Sequence, residues 1–434
     1  MTPLNETSHI RLTATDCFIL ALEKHIHNKG TSGNTCRYVF ELEGKLDIDA
    51  FKQTLKNSKE TQHLASFAMH KSGLFSVPKW KSHNNIDIEV NIHESDSFLP
   101  YSILNKIITS HTAPLFCFDV IHKRNGNSTL VFSWNHLIMD GYGAVLYLKL
   151  LNNIGNEKSF IGNNYKTKIN YHTFKEAVKA KFYLSNSSKK LTSGISPIKH
   201  FDRVTQKIKV VTFTKEETIQ IDSIAPKLGS KFGRSPYFLA CAARSVKEIL
   251  KQRNNTVNDF WIPVPQNQRK KGAMGPLLGN HLSFLFYRIN YSLLDSIEKS
   301  VKDINEQMVT QVRKGIPKAY DVLMNYLKRI PSGWYYNLIK GPQSDSLSGF
   351  LFTLAEDHPS ELLKFGNQKV LNALSFPPNT YPPGLTFAFM RFEEKLQLMI
   401  LYYNEVLNEA EANTLENQLK YELINGTPFH DQKT

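Results

Sequence analysis

The sequence of 434 residues lacks several features that would place it in a class at once. It has no run of about 18 apolar residues, so no membrane-spanning helix is expected. Its first residues carry neither a basic head nor an apolar stretch, which argues against a secretory signal. The four cysteines form no Cys-x-x-Cys pair and no zinc pattern with histidine. We therefore expect free buried thiols, no bound metal and a cytoplasmic protein, with peripheral membrane association left open.

Common catalytic and phosphate-binding motifs are missing as well. The sequence contains no Gly-x-Ser-x-Gly elbow, no His-Glu-x-x-His helix, no Gly-x-Gly-x-x-Gly and no phosphate loop ending in Gly-Lys-Ser/Thr. These gaps argue against serine hydrolase, zinc protease and nucleotide-binding classes. Basic residues are not interleaved with aromatic residues as in RNA readers, so no nucleic-acid partner is expected.

Positive charge, in contrast, is plentiful. The formal net charge is +14, which attracts acidic proteins, nucleotide phosphates and anionic lipid surfaces. Part of this charge is clustered at Lys179, Lys181, Lys189, Lys190 and Lys199, and at Arg269, Lys270 and Lys271. Ordinary solvated loops explain such runs equally well.

The chain predicts two mixed α/β parts, each large enough for its own core. We expect an N-terminal subdomain at 1–170, a linker with a short helix at 171–200 and a C-terminal subdomain at 201–434. Local signals predict a first helix opened by Thr15 or Asp16, a strand in "GLFSVPKW" and a helix capped by Ser235. "GLTFAFMRF" and "KLQLMILYYNEVL" predict a hairpin joined by Glu393 and Glu394.

The segment "SWNHLIMDGYGA", residues 133–144, carries the strongest functional signal. Strand-forming residues precede it, and apolar residues at helical spacing follow it. His136 to Gly141 is therefore predicted to be a strand-to-helix loop, where catalytic groups are often displayed.

"NHLIMDG" resembles the His-x-x-x-Asp-Gly signature of the superfamily of chloramphenicol acetyltransferase, nonribosomal peptide condensation domains, wax ester synthases and plant alcohol acyltransferases. Other stretches resemble the same family, including "LTATDCFILAL", "FELEGKLDIDAFKQTL", "IPVPQNQR", "LGNHLSF" and "YPPGLTFAF". Many condensation domains have two adjacent histidines, whereas here Asn135 precedes His136. This departure weakens a specific prediction of peptide-bond formation.

The resemblance implies two similar subdomains in a V around a central tunnel. It also implies that His136 is the general base, while Asp140 points away, pairs with Arg269 and orients the loop. Gly141 would keep the tunnel wall low for a thioester arm. Asn280, Ser283 and Thr353 are candidates for oxyanion or acceptor contacts, although ordinary polar strand residues explain them as well.

The function implied is acyl transfer from a coenzyme A or phosphopantetheine thioester to a hydroxyl or amine, without a permanently bound cofactor. The donor would be acyl-CoA or an acidic acyl carrier protein, and the acceptor a small or lipid-like molecule. An anionic membrane surface is a further expected partner. The alternative is a non-catalytic relative that docks carrier or other proteins. The sequence leaves ester and amide products equally open.

Overall fold

The computed structural model describes residues 10–27, 33–71, 73–84, 86–153, 170–188, 192–196, 204–255, 257–270, 272–273, 275–339 and 346–429. Strands and helices alternate throughout this part, which confirms the mixed α/β class. Within the described residues, no helix is long and apolar enough to cross a membrane. Lys189, Lys190, Lys199 and Lys271 of the basic clusters lie outside the described residues.

The described residues of the first part of the chain supply six strands and five helices. The strands are β1 Thr35–Leu42, β2 Phe67–His70, β3 Lys79–Ser82, β4 Val90–Glu94, β5 Phe116–His122 and β6 Ser128–Asn135. The helices are α1 Ala14–His27, α2 Ile48–Asn57, α3 Lys59–Ser66, α4 Tyr101–Leu104 and α5 Gly141–Leu151.

The described remainder of the chain supplies eight strands, seven helices and two 3₁₀ turns. The strands are β7 Gln206–Thr212, β8 Phe260–Asn267, β9 Leu282–Ile289, β10 Leu351–Leu354, β11 Lys364–Phe365, β12 Gln368–Phe376, β13 Leu385–Phe392 and β14 Lys395–Tyr403. The helices are α6 Tyr171–Ser187, α7 Lys215–Lys227, α8 Ser235–Gln252, α9 Ile297–Arg313, α10 Ile316–Leu327, α11 Ser332–Ile339 and α12 Glu409–Asn425. The 3₁₀ turns are Tyr291–Leu293 and Ser360–Leu362.

Two helix starts differ from the sequence prediction. Helix α1 begins before Thr15, because Thr13 and Asp16 cap it reciprocally: Asp16 N donates to Thr13 Oγ1 at 3.0 Å, and Thr13 N donates to Asp16 Oδ2 at 2.7 Å. Helix α8 includes Ser235, and Arg234 precedes it without a side-chain cap. The proline at 236 suffices to start this helix, since its fixed φ suits the first turn.

One strand prediction is largely wrong and one hairpin prediction is confirmed. Only the end of "GLFSVPKW" becomes a strand, β3, which pairs with β2, while residues 73–78 form turns and loop. Strands β13 and β14 pair from Phe392 and Lys395 outward, so Glu393 and Glu394 make the two-residue turn. Glu393 has a φ of 52°, as a tight hairpin of this kind requires.

The sheets combine strands from both parts of the sequence. The larger sheet has the order β11-β12-β1-β6-β5-β4, and a second sheet has the order β10-β13-β14-β7. Strands β11 and β12, near residue 370, thus extend the sheet that β1 and β6 begin. A boundary between residues 170 and 201 does not separate these strands, although the subdomain ranges themselves stay a prediction.

Two hydrophobic cores lie on opposite faces of β13 and β14. On β13, Ala388 and Met390 pack into the core that contains β1 and β6, whereas Phe387 and Phe389 pack into the core around α8 and α12. Alternate side chains of a strand point to opposite faces, so one sheet serves both cores. The motif loop at the end of β6 lies in the first of them.

Candidate active site

The motif loop is held by hydrogen bonds from the residues around it. His136 N donates to Asn34 O at 2.8 Å, next to the end of β1. Asn135 is fully buried; its Nδ2 donates to Ile108 O at 2.7 Å and its Oδ1 accepts from Leu137 N at 2.8 Å. The residue that departs from the paired-histidine pattern therefore holds the backbone of the motif loop at Leu137 and connects this loop to Ile108.

A largely apolar cavity of about 230 Å³ opens at this loop, and we call it the first cavity. His136, Asp140 and Gly141 contribute to its wall. Most other wall residues are apolar; they include Phe18 of α1, Trp134 of β6, Val145 of α5, Phe284 of β9 and Phe352 of β10.

The surroundings of His136 favour the neutral form of its imidazole. Burial is the strongest influence on its pKa and lowers it from the usual 6.5, while hydrogen bonding to its own backbone and the charge of Asp140 raise it less. Nδ1 is buried and makes no hydrogen bond to another described residue. A neutral imidazole on a cavity wall is suited to accept a proton from a bound molecule.

Asp140 is not available to a ligand, because both carboxylate oxygens are engaged. Oδ1 accepts from Gly143 N at 2.9 Å and so caps α5. Oδ2 accepts from Arg269 Nη1 at 2.7 Å and from His281 N at 2.9 Å. The side chains of Asp140 and Arg269 are each only 2% exposed. This carboxylate therefore binds α5 to the β8–β9 region.

Arg269 connects further to the same region. Its Nε and Nη2 donate to Pro276 O at 3.1 and 2.9 Å. Its guanidinium lies 5.2 Å from the ring centre of Tyr142, whose hydroxyl donates to Ala273 O at 2.6 Å. The pair of Asp140 and Arg269 is thus part of a network and not an isolated contact.

Asn280 lies behind His136, where its amide protons are already used. Nδ2 donates to Asp16 Oδ1 at 2.9 Å and to His136 O at 2.8 Å. Burial raises the pKa of Asp16, although hydrogen bonds from Asn280 and Thr13 lower it in part. The expectation that Asn280 offers a donor to an oxyanion does not agree with these contacts: it positions the His136 backbone instead.

Of the other two candidates for a ligand contact, Ser283 and Thr353, only one is on the wall of the first cavity. Ser283 is fully buried, its Oγ donates to Pro317 O at 2.6 Å, and it is not on the wall of the first cavity. It is therefore also unsuited to the expected ligand contact. Thr353, on β10, does contribute to the cavity wall. A Cβ at Gly141 would meet no atom within 4 Å, so this glycine leaves open space at the wall.

Sequence reasoning missed Gly143. A Cβ at this position would lie 2.6 Å from Leu277 O, so only glycine lets α5 approach the 275–281 segment this closely. The bridge between Met139 and Gly279 lies at the same junction. The only sequence signal was a second glycine after Asp140, and it does not identify a partner more than a hundred residues away.

Thiol and metal chemistry receive no support from the described residues. All four cysteines are buried and unpaired, and Cys36 is on the wall of the first cavity. Burial raises the pKa of the Cys36 thiol well above its usual range, which disfavours the nucleophilic thiolate. No group of three or more potential metal ligands occurs among the described residues.

Comparison with known proteins places the fold. No family model matches the sequence, and no curated protein matches it. The structure is similar to the first condensation domain of the calcium-dependent antibiotic synthetase in complex with a substrate analogue, with a TM-score of 0.69 and 13% identity over 97% of this chain and 96% of that one.

The structure is also similar to two further solved structures. Trichothecene 15-O-acetyltransferase from Fusarium sporotrichioides has a TM-score of 0.67 and 12% identity, over 95% of this chain and 94% of that one. A variant starter condensation domain of rhizomide synthetase, in complex with C8-CoA and Leu-SNAC, has a TM-score of 0.65 and 12% identity, over 96% and 94%. The chain thus has the fold shared by condensation domains and this acetyltransferase, as the resemblance implied.

Proposed function

We propose that the protein is an acyltransferase that moves an acyl group from a pantetheine thioester to a hydroxyl or amine, with His136 as general base. The observation that carries the proposal is the neutral imidazole on the wall of an apolar cavity. The shared fold supports it, since the solved structures of that fold include an acetyltransferase and a domain in complex with C8-CoA.

The proposed reaction needs one proton acceptor and no covalent enzyme intermediate. The acceptor oxygen or nitrogen attacks the thioester carbonyl while His136 takes its proton. The tetrahedral intermediate collapses, the carbon–sulfur bond breaks, and the imidazolium returns the proton to the leaving thiolate. The ester or amide and a free thiol are released, and His136 is neutral again.

The surrounding residues have supporting parts in this scheme. Thr353 is the remaining candidate for an oxyanion or acceptor contact, since it alone of the three suggested residues is on the cavity wall. Asp140 and Arg269 hold the loop that carries His136. Open space at Gly141 would admit the thioester arm. Passage of the two substrates from opposite mouths of a tunnel remains part of the proposal.

Acyl-CoA and an acidic acyl carrier protein both fit the proposed donor. Coenzyme A carries phosphates and carrier proteins are acidic, so the net charge of +14 suits either. The acceptor belongs to a small-molecule or lipid-like class, which the apolar wall favours.

The test is to incubate the protein with acyl-CoA and acyl-carrier donors and a panel of alcohols and amines, and to measure thiol release and product mass. His136→Ala should lower turnover by roughly 10²–10⁴, the usual effect of losing a general base, with the fold retained. Exposed His83→Ala is the matched control and should keep full turnover.

Two outcomes would overturn the proposal. A folded His136→Ala protein with unchanged turnover removes the base, and a wild-type protein inactive with every pair of substrates favours a non-catalytic docking role. Donor alone should leave the intact mass unchanged, because direct attack forms no acyl-enzyme. A stoichiometric acyl adduct would instead indicate a nucleophile on the protein.

The pH dependence gives an independent check of the base. The base must be deprotonated to act, so the rate should fall as pH drops through the pKa of His136. Because burial lowers that pKa, this acid limb should lie below about pH 6.5, the usual histidine value. A limb centred above pH 7 in a kcat/KM profile would contradict the assignment.

A further inference from the structure

A second cavity, of about 330 Å³, adjoins the first. Four apolar residues, Phe18, Pro263, Phe284 and Leu347, contribute to the walls of both. The rest of its wall is mainly apolar and comes from α10, α11 and β9, with Tyr320, Leu323 and Phe286 among them. The second cavity therefore adjoins the His136 cavity at these shared side chains.

Helix α6 forms one side of this second cavity and is packed on α10. Thr173 Oγ1 lies 3.0 Å from Tyr326 Oη, and the inner residues Ala177 and Ala180 are buried. Leu184 and Lys181 are on the cavity wall. The position of α6 is therefore set by α10, and its opposite side faces solvent.

The solvent side of α6 is apolar where a polar surface is the rule. Tyr171, Phe174, Val178 and Phe182 follow one another at intervals of three and four residues, which places them along one stripe. They are 82%, 57%, 50% and 68% exposed. The ring centre of Phe174 is 6.5 Å from that of Tyr326 on α10, but the larger part of the stripe is open to solvent. An exposed apolar stripe on a helix that is also packed on its other side is a candidate contact surface.

A second exposed apolar group lies across the same cavity. Trp334 and Leu338, four residues apart on α11, are 61% and 50% exposed, and Leu338 is also on the cavity wall. Exposed Phe75 extends this group, since its ring centre is 6.2 Å from that of Trp334. Because α6 and α11 both contribute to the wall of the second cavity, we use the name mouth surface for these exposed residues together: Tyr171, Phe174, Val178, Phe182, Phe75, Trp334 and Leu338.

Charge on α6 indicates what covers this surface. Lys175 and Lys179 are exposed on one flank of the α6 stripe, and Lys181 is exposed on the other. The one acidic residue of α6, Glu176, lies 3.3 Å from Lys179. An aromatic stripe between rows of lysine is the pattern of helices that lie in the interface of an anionic membrane. There, aromatic rings occupy the headgroup boundary and lysines meet lipid phosphates.

We infer that the mouth surface docks on an anionic lipid membrane, and that the second cavity receives an apolar chain from it. The role of the second cavity rests on the proposed function. The apolar chain then belongs to an acyl donor or acceptor whose reacting end reaches His136 through the first cavity. The substrate class is then a lipid-like molecule with a long apolar chain and a polar reacting end.

Docking is tested without any catalysis, by flotation of the full chain with phosphatidylglycerol-containing vesicles and with pure phosphatidylcholine vesicles. The protein should bind the anionic vesicles more tightly, with affinity falling as salt rises. Phe174→Ser with Phe182→Ser should weaken vesicle binding by more than about tenfold, because the variant lacks two aromatic rings that the docked protein would bury in the membrane. The matched control is Ile219→Ser with Phe232→Ser, two exposed apolar residues on neither cavity wall.

A separate pair of variants tests the contribution of lysine charge to membrane binding. Lys175→Gln with Lys181→Gln should lower the partition coefficient roughly 30-fold, at about 1 kcal/mol for each lysine near an anionic surface. Exposed Lys52→Gln with Lys56→Gln on α2 should leave it within about twofold. Failure to bind anionic vesicles, or equal effects of the mouth and control variants, overturns the docking. So does a monomer–dimer equilibrium abolished by the Phe174 and Phe182 changes, which would make a second copy the occupant.

The route through the second cavity is tested with donors or acceptors of different chain length. Ser185 is half-buried on the cavity wall. Ser185→Phe should raise KM for a sixteen-carbon chain by about tenfold or more, by filling the space, while a two-carbon analogue keeps its kcat/KM. Equal effects on both chain lengths overturn the route. A protein that binds vesicles but transfers no acyl group of any length instead removes the proposed function and leaves the docking intact.

Discussion

At the scale of single residues, the motif identified which side chains carry the site but not what surrounds them. Asp140 was expected to turn away from the cavity, and its oxygens are indeed engaged by Gly143, Arg269 and His281. Asn280 was one of three candidates for a ligand contact, and its amide lies between Asp16 and His136 O. The difference is physical: a buried amide donates to the nearest acceptors, and one of them, Asp16 of α1, lies 264 residues earlier in the chain.

The Asp140–Arg269 pair should show strong coupling in a double-mutant cycle. Asp140→Ala and Arg269→Met should each cost about 3–5 kcal/mol of unfolding free energy, because each leaves a buried charge unpaired. Asp140→Ala should cost more, since Gly143 N and His281 N also lose their acceptor. The double variant should cost less than the sum, as measured by urea denaturation.

The exposed pair Lys302–Glu298 on α9 provides the control for that cycle. Water screens such a pair, so neither single change there should move the urea midpoint appreciably. Strictly additive losses at Asp140 and Arg269 would mean that the two side chains do not interact in solution.

His358 should make stability depend on acid pH. Its Nε2 donates to Leu362 O at 3.1 Å, so its Nδ1 accepts from the Tyr38 hydroxyl at 2.8 Å, and the ring is neutral. Burial lowers the pKa of His358 from its ordinary value of 6.5 to about 4. Between pH 6.5 and 4, the unfolded chain protonates this histidine while the folded chain keeps it neutral. The free energy of unfolding is therefore highest above pH 6.5 and falls by about 3 kcal/mol as the pH drops to 4.

The measurement is the free energy of unfolding against pH for the wild type and for His358→Gln. The wild type should lose stability steeply between pH 6.5 and 4, and the variant should lose less over that window. Exposed His83→Gln should follow the wild-type curve. Parallel curves for wild type and His358→Gln would show that another group is responsible.

At the scale of elements, local patterns predicted several helices and strands but not how they dock. Strand β6 and helix α5 follow from a strand-forming run and from apolar helical spacing. The strand predicted in "GLFSVPKW" failed because Gly73 and Pro78 favour turns, so only residues from Lys79 onward pair with β2. Docking of α5 on the 275–281 segment depends on a close backbone approach at Gly143. A contact of this kind leaves no periodic pattern of apolar residues in the sequence.

Two glycines of the motif should respond oppositely to the same substitution. Gly143→Ala places a Cβ 2.6 Å from Leu277 O, so α5 and the 275–281 segment must separate, at a cost of about 1–3 kcal/mol. Gly141→Ala adds a methyl group in open space at the first turn of α5 and should be neutral or stabilising by up to about 1 kcal/mol. Thermal or urea denaturation of both variants decides, and equal destabilisation would contradict the close approach at Gly143.

At the scale of the whole molecule, the larger sheet joins strands from early and late in the chain, while the predicted subdomain ranges stay a prediction. Chain length and the mixture of strands and helices in each half predicted two parts with separate cores, and the described residues form two hydrophobic cores that meet at one sheet. The sequence gives no sign, however, that β12 would leave the later part and pair with β1 from Arg37↔Phe376 onward. Strand exchange of this kind depends on which edge of a sheet is free, a property of the assembled fold and not of a local pattern.

We therefore expect the protein to unfold in a single cooperative transition. Strand β13 contributes Met390 to one core and Phe389 to the other, so neither core survives intact when this sheet opens. Asn372 of β12 also connects the sheets, since its Nδ2 donates to Glu41 Oε1 at 3.0 Å and its Oδ1 accepts from Gln397 Nε2 at 2.5 Å. Scanning calorimetry should give one peak whose calorimetric and van't Hoff enthalpies agree, with coincident far-UV and tryptophan transitions. Two resolved transitions would indicate that the parts of the chain before residue 170 and after residue 201 are stable independently, and that the shared sheet couples them only weakly.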